Sequence, residues 1–449
     1  MTDRPLLAII LAAGHGTRMK SRRPKVLHEV ARRPMVGHVL DAARAAGADE
    51  VAVVISASGD QVREAIATDD ADTQVFVQAE QLGTAHAVDA AREAFAGFDG
   101  DVLVLYGDTP MIRPETLRRL REALSDGSAL AVLGFDAADP TGYGRLLRDE
   151  EGALIGIREE KDASADERVI RQCNSGVMAF RAEALRELLP RIGNDNAKGE
   201  YYLTDAVALA RGQGYDVAVA MGEEAEVLGV NDRAQLAAAE AKMQQRLRDA
   251  AMDGGATLID PATVTFSYDT VLGPDVVVEP NVIFGPGVTV GDSARINGFS
   301  HIEGARVGPG ASVGPFARLR PGAELGENVR IGNFVEIKKA SIEDDAKVNH
   351  LTYIGDSRVG AGANIGAGTI TCNYDGHEKH HTDIGAGAFI GSNSALVAPV
   401  KIGDRAYIGS GSVITRDVSA GSLALSRAPQ EEREGWADRM HARRGRDKG

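Results

Sequence analysis

The stretch VLGPDVVVEPNVIFGPGVTVGDSARINGFSHI, residues 271–302, decides the fold of the C-terminal half of the chain. Within it an aliphatic or aromatic residue recurs every six positions, at Leu272, Val278, Phe284, Val290, Ile296 and Ile302. A six-residue period is typical of a left-handed parallel β-helix, in which three hexads form one triangular coil. The periodic residues would stack inside, and neighbouring coils would pair at about 4.8 Å, the usual strand spacing.

The period continues far beyond this stretch, with three steps of five residues instead of six. It includes Val307, Val313, Leu319, Leu325, Ile331, Ile337, Ile342, Val348, Ile354, Val359, Ile365, Ile384, Ile390, Leu396, Ile402 and Ile408. About twenty-two hexads predict about seven coils. One large break, TCNYDGHEKHHTD at 371–383, is an insertion, and insertions in solenoids often form loops on the binding face.

The N-terminal half has a different pattern, in which short apolar strands alternate with amphipathic helices. The predicted strands are Leu6–Ala12, Glu50–Ser56, Thr73–Gln78, Val102–Tyr106 and Leu130–Phe135, and the predicted helices include Pro34–Ala46, Asp60–Ala67, Ala85–Ala96 and Pro114–Leu124. This alternation predicts an α/β Rossmann-like domain with a parallel sheet and helices on both faces. Ligands would bind beyond the C-terminal ends of the strands.

A long polar helix is predicted between the two halves. The segment 231–253 is rich in Ala, Gln, Arg, Lys and Glu, with Asn231 as a candidate cap and Gly254-Gly255 as a stop signal. We therefore expect domains at 1–233 and 255–449, joined by a linker helix at 234–254. The basic residues from Arg439 to Lys448 are expected to form a solvated, poorly ordered tail.

Composition narrows the class of protein. The chain has 449 residues and a net charge of −15, which argues against a nucleic-acid or anionic-membrane binder. Its two cysteines do not make a disulfide framework. The apolar run Leu6–Ala13 is too short to span a membrane and lacks a signal-peptide pattern. We expect a cytoplasmic protein.

A glycine-rich turn follows the first predicted strand. Gly14 and Gly16 let backbone N–H groups approach a phosphate, and Arg18 and Lys25 add positive charge. The turn has neither the dinucleotide-binding pattern nor the P-loop pattern. From local spacing a tight β–α turn without a ligand is an equally good interpretation.

The wider sequence resembles a known family. LAAGHGTRM at 11–19 with Pro24-Lys25 resembles the signature of sugar-phosphate nucleotidyltransferases, and further matches follow in order: QAEQLGT at 78–84, YGD at 106–108, TGYGR at 141–145, EEKD at 159–162, CNSG at 173–176, GEYYLTD at 199–205 and GVN at 229–231. With the hexapeptide half, residues 6 to 436 resemble the bacterial bifunctional N-acetylglucosamine-1-phosphate uridyltransferase/glucosamine-1-phosphate N-acetyltransferases. The resemblance implies synthesis of UDP-N-acetylglucosamine, a cell-wall precursor.

For the first domain the resemblance implies a site for UTP, Mg²⁺ and N-acetylglucosamine-1-phosphate. Arg18 and Lys25 would act on the phosphates, and Asp108 and Asn231 would hold Mg²⁺. Gln78, Gly83 and Thr84 would bind uracil, and Gly144, Glu159 and Asn174 the sugar. The remaining contacts would come from Leu11, Ala12, Ala13, Gly14, Tyr106 and Gly107. His15 and Ala85 stand where Lys and Gly are frequent in the family.

For the second domain the resemblance implies acetyl transfer from acetyl-CoA to glucosamine-1-phosphate. His350, in NHLTY at 349–353, would be the base, a role that suits histidine near neutral pH. Arg320, Lys338, Tyr353 and Asn364 would bind glucosamine-1-phosphate. Ala367, Asn373, Tyr374, Ser392, Ser410 and Arg427 would line the acetyl-CoA groove. Asn349 and Ser410 replace a Gly and an Ala that are frequent in the family.

Three alternatives stay open at this point. The histidines His377, His380 and His381 permit a zinc site, but a solvated loop is the simpler interpretation. The whole chain permits a nucleotidyltransferase whose solenoid is only a scaffold, or a regulatory subunit with two binding modules. Cys372, beside the expected CoA groove, is interpreted as a packing residue. Because solenoids of this type commonly trimerise, we expect a homotrimer.

Overall fold

The computed structural model describes residues 4–14, 16–124 and 128–446. The chain divides into two compact units, Met1–Arg246 and Leu247–Gly449. His15, one of the positions noted above, lies outside the described residues.

Over the residues that the structure describes, the first unit is built on one mixed sheet of nine strands. In chain order the strands of this unit are β1 Leu6–Leu11, β2 Glu29–Val30, β3 Arg33–Pro34, β4 Glu50–Ser56, β5 Gln74–Gln78, β6 Asp101–Tyr106, β7 Leu130–Asp136, β8 Gly144–Arg148, β9 Leu154–Arg158, β10 Gln172–Arg181 and β11 Val217–Gly222. The main path is β11-β7-β10-β6-β1-β4-β5, with β8 and β9 attached to β10, while β2 and β3 form a separate hairpin.

The prediction of a parallel sheet is wrong in one region. β1, β4, β5 and β6 are parallel to one another, but β10 runs antiparallel to both β6 and β7. The antiparallel β8–β9 hairpin precedes β10, so the chain returns through a hairpin instead of a helical crossover.

Helices cover both faces of this sheet. Their bounds are Met35–Ala45, Asp60–Asp69, Thr84–Ala90, Arg92–Phe95, Pro114–Glu122, Ala165–Arg168, Ala182–Leu188, Asp205–Gly212 and Glu224–Val227, with 3₁₀ turns at Thr17–Met19, Lys25–Leu27 and Leu189–Arg191. Alternate residues of β1 pack into the two hydrophobic cores on opposite faces of the sheet. Leu6, Ala8 and Ile10 belong to one core, and Leu7, Ile9 and Leu11 belong to the other. The two-faced burial predicted from the apolar strands is therefore confirmed.

The long helix runs from Arg233 to Asp253. Asp232, not Asn231, caps it, because Asp232 Oδ1 accepts from the Gln235 backbone N–H at 2.9 Å. Asn231 instead turns its side-chain oxygen toward Lys25. The helix ends at the predicted glycines, where Gly255 adopts φ +95°.

The second unit is a three-sided parallel β-helix. One face carries ten strands: Thr257–Leu258, Val277–Val278, Arg295–Ile296, Ser312–Val313, Arg330–Asn333, Lys347–His350, Asn364–Ile365, Phe389–Ile390, Tyr407–Ile408 and Leu423–Ala424. The other strands are Val271–Leu272, Ile283–Phe284, Thr289–Val290, His301–Ile302, Ala305–Val307, Arg318–Leu319, Ala323–Leu325, Glu336–Ile342, Tyr353–Val359, Ile370–Cys372, Thr382–Ile384, Ala395–Val397, Val400–Ile402 and Val413–Ile414, and a 3₁₀ turn lies at Pro261–Thr263. Glu336–Ile342 and Tyr353–Val359 continue round a corner and pair on both remaining faces.

Each coil contributes one strand to the first face, so the described residues form ten coils, more than the predicted count of about seven. The terminal coils were missed because strands such as Thr257–Leu258 and Leu423–Ala424 lack the full hexad pattern. The predicted inward stacking is confirmed: Val278, Ile296, Ile337 and Val348 are fully buried in one continuous core.

The C-terminal segment also differs from its prediction. An exposed helix, Trp436–Arg446, replaces the expected irregular tail, consistent with its run of good helix formers between Trp436 and Arg443. Among the described residues, no helix has both the length and the apolar character that crossing a membrane requires.

Two candidate active sites

The first candidate site is a cleft of about 490 Å³ in the first unit. Its lining consists of Leu11, Ala12, Ala13, Gly14, Lys25, Val26, Gln78, Gln81, Gly83, Thr84, Ala87, Tyr106, Asp108, Lys198, Glu200 and Asn231. Because β1 and β6 are parallel, the turns after them open at the same edge of the sheet. Eleven residues expected from the resemblance to bind the nucleotide, sugar or metal line this one cleft.

Hydrogen bonds hold the turn after β1 in place. The Gly107 backbone N–H donates to Leu11 O at 3.0 Å, so the two strand ends are tied together. The side chain of Gln81 donates to Ala13 O. A Cβ on Gly14 would meet open space, so the turn leaves room for a ligand at its backbone.

Lys25, Asp108 and Asn231 meet on one side of the cleft. The Lys25 ammonium contacts Asp108 Oδ2 and lies 3.1 Å from Asn231 Oδ1. Both partners of the ion pair are largely buried, with side chains 12% and 17% exposed. A cation therefore already lies between two oxygen atoms of the kind that Mg²⁺ prefers.

The other end of the cleft is shaped by the segment from Gln78 to Thr84. Gly83 adopts φ +120°, and a Cβ there would lie 2.4 Å from Tyr201 O, so only glycine fits. Thr84 Oγ1 accepts from the Leu203 backbone N–H at 2.9 Å. This segment and residues 201–203 thus form one hydrogen-bonded wall.

The three predicted sugar-binding residues come together beside the cleft. Gly144 pairs with Asn174 across β8 and β10, and a Cβ on Gly144 would lie 3.3 Å from Glu159 Oε1. Burial raises the pKa of Glu159, and the carboxylates of Asp205 and Asp162 add to the effect. Glu159 Oε1 accepts from Thr204 Oγ1 at 3.3 Å. A carboxylate held in this state is suited to accept hydrogen bonds from sugar hydroxyls.

Two features of the cleft differ from the sequence-based picture. Arg18 is exposed and does not line the cleft. Lys198 and Glu200 line it although neither was assigned a role. Glu200 lies in the recognised segment 199–205, which was the available signal, whereas Lys198 lies immediately before that segment and gave none.

The second candidate site follows one corner of the β-helix. Five residues occupy the same position in successive coils, two places after the inward aliphatic residue: Asn333, His350, Ala367, Ser392 and Ser410. Backbone bonds connect the coils along this column, as in Gly368 N to His350 O at 3.3 Å and Asn393 N to Ala367 O at 2.7 Å. The proposed base and three expected CoA-binding residues therefore form a straight row. Arg427 joins its end, because Arg427 Nη1 donates to Ser410 O at 2.8 Å.

His350 is exposed at the head of this row. Its Nδ1 lies 2.8 Å from Asn333 Oδ1. Because the amide oxygen can only accept, Nδ1 carries the proton and Nε2 is left with a lone pair. The ring is thus oriented as a base with Nε2 as the accepting atom.

A cluster of positive charge lies nearby. Lys338 is next to Lys379, and a side-chain hydrogen bond with Lys379 is the main cause that lowers the pKa of Lys338; burial and the charges of Lys379 and Arg320 add to it. Arg320 donates to Glu336 Oε1 at 2.7 Å. Lys379, from the insertion, was not predicted to belong to this site. Three cations at one place are suited to a phosphate group.

The insertion is a hydrogen-bonded hairpin whose residues 374–379 are exposed, as expected for a solvated segment. Tyr374 and Lys379 form an antiparallel β-bridge, and the His380 backbone N–H donates to Asn373 O at 2.8 Å. His380 Nε2 lies 2.7 Å from Asp375 Oδ2. The Glu378 backbone N–H, with His380 and the His377 N–H, lowers the pKa of Asp375. Within the described ranges no group of three or more His, Cys, Asp or Glu side chains is arranged to hold a metal ion.

The remaining predicted residues lie around this hairpin or on the adjoining face. Asn373 is buried, and its amide nitrogen contacts Tyr353 Oη at 3.4 Å and also Asp356. Tyr374 is 60% exposed. Asn364 pairs with Lys347 on the face that also carries His350, without a side-chain hydrogen bond to the described residues of the site. Cys372 is a free thiol whose pKa is raised by burial.

Comparisons with known proteins agree with this division. Residues 8–175 match the MobA-like NTP transferase domain family, and residues 304–339 and 381–416 match the bacterial transferase hexapeptide repeat. A protein of Azorhizobium caulinodans named bifunctional protein GlmU is 62% identical over 448 residues, which is 100% of both chains. Proteins of the same name from Xanthobacter autotrophicus and Rhodospirillum rubrum are 59% and 60% identical, over 100% and 97% of both chains. The predicted fold class, an α/β nucleotidyltransferase followed by a left-handed β-helix, is thereby confirmed.

Proposed function

Because the chain belongs to the bifunctional GlmU family, we propose that it makes UDP-N-acetylglucosamine in two successive reactions. The β-helix transfers the acetyl group of acetyl-CoA to glucosamine-1-phosphate. The first unit then transfers UMP from UTP to N-acetylglucosamine-1-phosphate and releases pyrophosphate. The observation that best supports the pair of reactions is that each unit has its own site, the cleft with Lys25 and Asp108 and the row headed by His350.

In the acetyl transfer, His350 is the base. The amine of glucosamine-1-phosphate attacks the thioester carbonyl, a C–N bond forms, and the C–S bond to CoA breaks. His350 Nε2 accepts the amine proton, because Asn333 holds Nδ1 in its protonated form at 2.8 Å. The donor is already a thioester, so a protein nucleophile is not required.

Substrate positions in this site are assigned from the charge and shape of its surroundings. The phosphate of glucosamine-1-phosphate binds Arg320, Lys338 and Lys379, and the mutual influence of the two lysines supports a common ligand. Tyr353 and Asn364 contact the sugar. Acetyl-CoA lies along Ala367, Ser392 and Ser410, with Asn373, Tyr374 and Arg427 at its sides.

In the uridylyl transfer, a phosphate oxygen of N-acetylglucosamine-1-phosphate attacks the α-phosphorus of UTP, and pyrophosphate leaves. The chain has to bring two polyanions together in line, with no covalent intermediate. Gly14 and its neighbours offer backbone N–H groups and Lys25 offers charge inside the cleft, while Arg18, exposed on the turn Thr17–Met19, offers charge from outside the cleft lining. Gln78, Gly83 and Thr84 bind the uracil, and Gly144, Glu159 and Asn174 bind the sugar.

Asp108 and Asn231 are the residues that would hold Mg²⁺. The donor set of one carboxylate and one amide oxygen fits a hard cation whose other positions are filled by phosphates and water. The ammonium of Lys25 lies between these two oxygen atoms, which supports their suitability as ligands of a cation. When bound, Mg²⁺ supplies neutralisation of the phosphate charge.

We also propose a homotrimer formed through the β-helix. Support comes from an apolar stripe along the corner next to His350, made of Phe299, Phe316, Phe334 and Leu351, which are 46–62% exposed. The three phenylalanines stack with centroid distances of 5.0 and 5.3 Å. An exposed apolar stripe of this kind is typical of a protein interface. A mass near the 47.3 kDa of one chain in light scattering contradicts the trimer.

We place both reactions in the cytoplasm. Both cysteines are free thiols, which fits a reducing compartment.

One incubation tests the proposed function. The protein is mixed with acetyl-CoA, glucosamine-1-phosphate, UTP and Mg²⁺, and CoA thiol and pyrophosphate are measured separately. We expect both products, with pyrophosphate dependent on acetylation. His350→Ala should stop thiol release while pyrophosphate still forms from added N-acetylglucosamine-1-phosphate, and Asp108→Ala should give the reverse pattern.

Two results favour the alternatives. Pyrophosphate without thiol release, and with another sugar phosphate, makes the β-helix a scaffold. The absence of both products makes the chain a binding subunit.

A further inference from the structure

The amide of Gln78 is held from two sides at the edge of the nucleotide cleft. Its side chain is buried, with 4% of the residue exposed. Nε2 lies 3.2 Å from Gly83 O and 3.1 Å from Nδ1 of His86, a residue in the first turn of the helix Thr84–Ala90. His86 has no role in the function proposed above.

Counting hydrogens fixes the state of both side chains. A carbonyl oxygen only accepts, so the Gln78 atom that faces Gly83 O is the nitrogen. Its second hydrogen points to His86 Nδ1, which therefore accepts and carries no proton. Neutral His86 then has its proton on Nε2, and Gln78 Oε1 is the atom left for a ligand in the cleft.

We propose that His86 is a positioning residue that fixes the Gln78 amide, and that this orientation makes the cleft select uracil over cytosine. This inference rests on the proposed function and names a determinant of its base specificity. His86 acts through Gln78 and does not itself contact the base.

The selectivity follows from the edge of the base. Uracil presents an N3–H donor, which Gln78 Oε1 can accept, and cytosine presents a lone pair at N3. Two acceptors facing each other in a buried site lose a hydrogen bond and repel. Without His86, only the contact to Gly83 O opposes a turned Gln78 amide, which would present its NH₂ group to cytosine. Loss of the His86 contact should therefore favour CTP relative to UTP.

Substitution of His86 is compatible with folding. The residue is half-buried, and it also lines a second cavity of about 250 Å³ together with Leu82 and Arg92. Truncation therefore enlarges an existing cavity at the surface instead of opening one in the core.

The test compares wild type, His86→Ala and His86→Asn in the full-length protein. Pyrophosphate release from N-acetylglucosamine-1-phosphate is measured with UTP and with CTP, which gives kcat and KM for each. Asn is the matched control because its Oδ1 stands at the same position in the side chain as His Nδ1 and can accept from Gln78. Acetyl transfer in the same preparations reports on folding of the other unit, and a melting curve reports on this one.

We expect His86→Ala to lower the UTP-to-CTP ratio of kcat/KM about fivefold, the effect of one net hydrogen bond. The change should lie in KM for UTP, with kcat nearly unchanged, and His86→Asn should restore most of the ratio. An unchanged ratio in His86→Ala overturns the inference, as does an equal loss for both nucleotides or a His86→Asn that behaves like His86→Ala. A wild type that releases no pyrophosphate from UTP overturns the proposed function itself.

Discussion

Replacing Asp101 by Asn should unfold the first unit at a much lower temperature. Asp101 begins β6, and its side chain is 1% exposed. Oδ2 accepts from Arg121 Nε at 2.9 Å and Oδ1 accepts from Arg181 Nη1 at 2.6 Å, while Arg4 Nε is 3.4 Å from Oδ1. One buried carboxylate thus contacts guanidinium groups from three separate segments.

The magnitude follows from what Asn leaves behind. Asn keeps the volume and one acceptor, but it removes the charge and turns an NH₂ group toward a guanidinium. Breaking a buried ion pair by removal of one partner costs about 3–5 kcal/mol. In a unit of this size each kcal/mol shifts Tm by roughly 2–4 °C, so a fall in Tm of roughly 6–20 °C is expected.

Far-UV circular dichroism is the assay, because the helices of the described residues belong mainly to the first unit. Asp99→Asn is the matched control: Asp99 also pairs with Arg4, at 3.4 Å, but its side chain is 94% exposed. Such a pair contributes about 0–1 kcal/mol. A fall for Asp101→Asn no larger than that for Asp99→Asn refutes the argument.

Three further predictions concern the sites and the assembly. Burial raises the pKa of Glu159, so its ionised carboxylate lowers the stability of the fold at neutral pH, and this cost is absent below pH 4.5, the ordinary pKa of the group. Glu159→Gln should therefore melt at a higher temperature than wild type at neutral pH, and the difference should vanish below pH 4.5. The same variant should form less UDP-sugar. Lys198→Met should raise KM for N-acetylglucosamine-1-phosphate about tenfold, the effect of one charged hydrogen bond, and should leave KM for UTP unchanged. Lys198→Arg, the control, should retain binding of the sugar phosphate. Equal KM values in wild type and Lys198→Met contradict a role of Lys198 in sugar-phosphate binding. Phe316→Ser interrupts the aromatic stack and should lower the mass measured by light scattering. Val169→Ser, the control, changes a residue of the first unit that is 75% exposed and should leave the mass unchanged. An unchanged mass for Phe316→Ser argues against the apolar stripe as the trimer interface.

The fold could be predicted where one rule governs many residues. The hexad period repeats one simple requirement, an aliphatic residue facing inward, so Ile296 and Ile337 could be assigned to the core before any coordinates. The exceptions are places where a single local contact decides. β10 was not among the predicted strands, and the pattern of apolar residues in a strand does not fix its direction.

The same reasoning explains the limits at the sites. Gly83 and His350 lie in motifs, so the sequence pointed to them. Lys379 and Lys198 could not be found in this way, since their roles depend on which side chains the fold brings near them and not on spacing along the chain. Asp232 rather than Asn231 caps the long helix because Asn231 is held by Lys25 across the cleft, a contact between residues distant in sequence.

The two sites handle phosphate charge in opposite ways, and this difference has a thermodynamic consequence. In the first unit Lys25 is held by Asp108 and Asn231, so a phosphate has to compete with a pair that already exists, and a cation at Asp108 makes Lys25 available. In the β-helix, Lys338 and Lys379 face each other, with Glu336 bound to Arg320 as a nearby acid. The carboxylate of Asp356 offsets part of this positive charge. An anion that binds both lysines relieves the remaining repulsion, because like-charge contacts become shared contacts to one ligand. Phosphate-bearing ligands should therefore stabilise the second unit more strongly than the first in the absence of a metal ion.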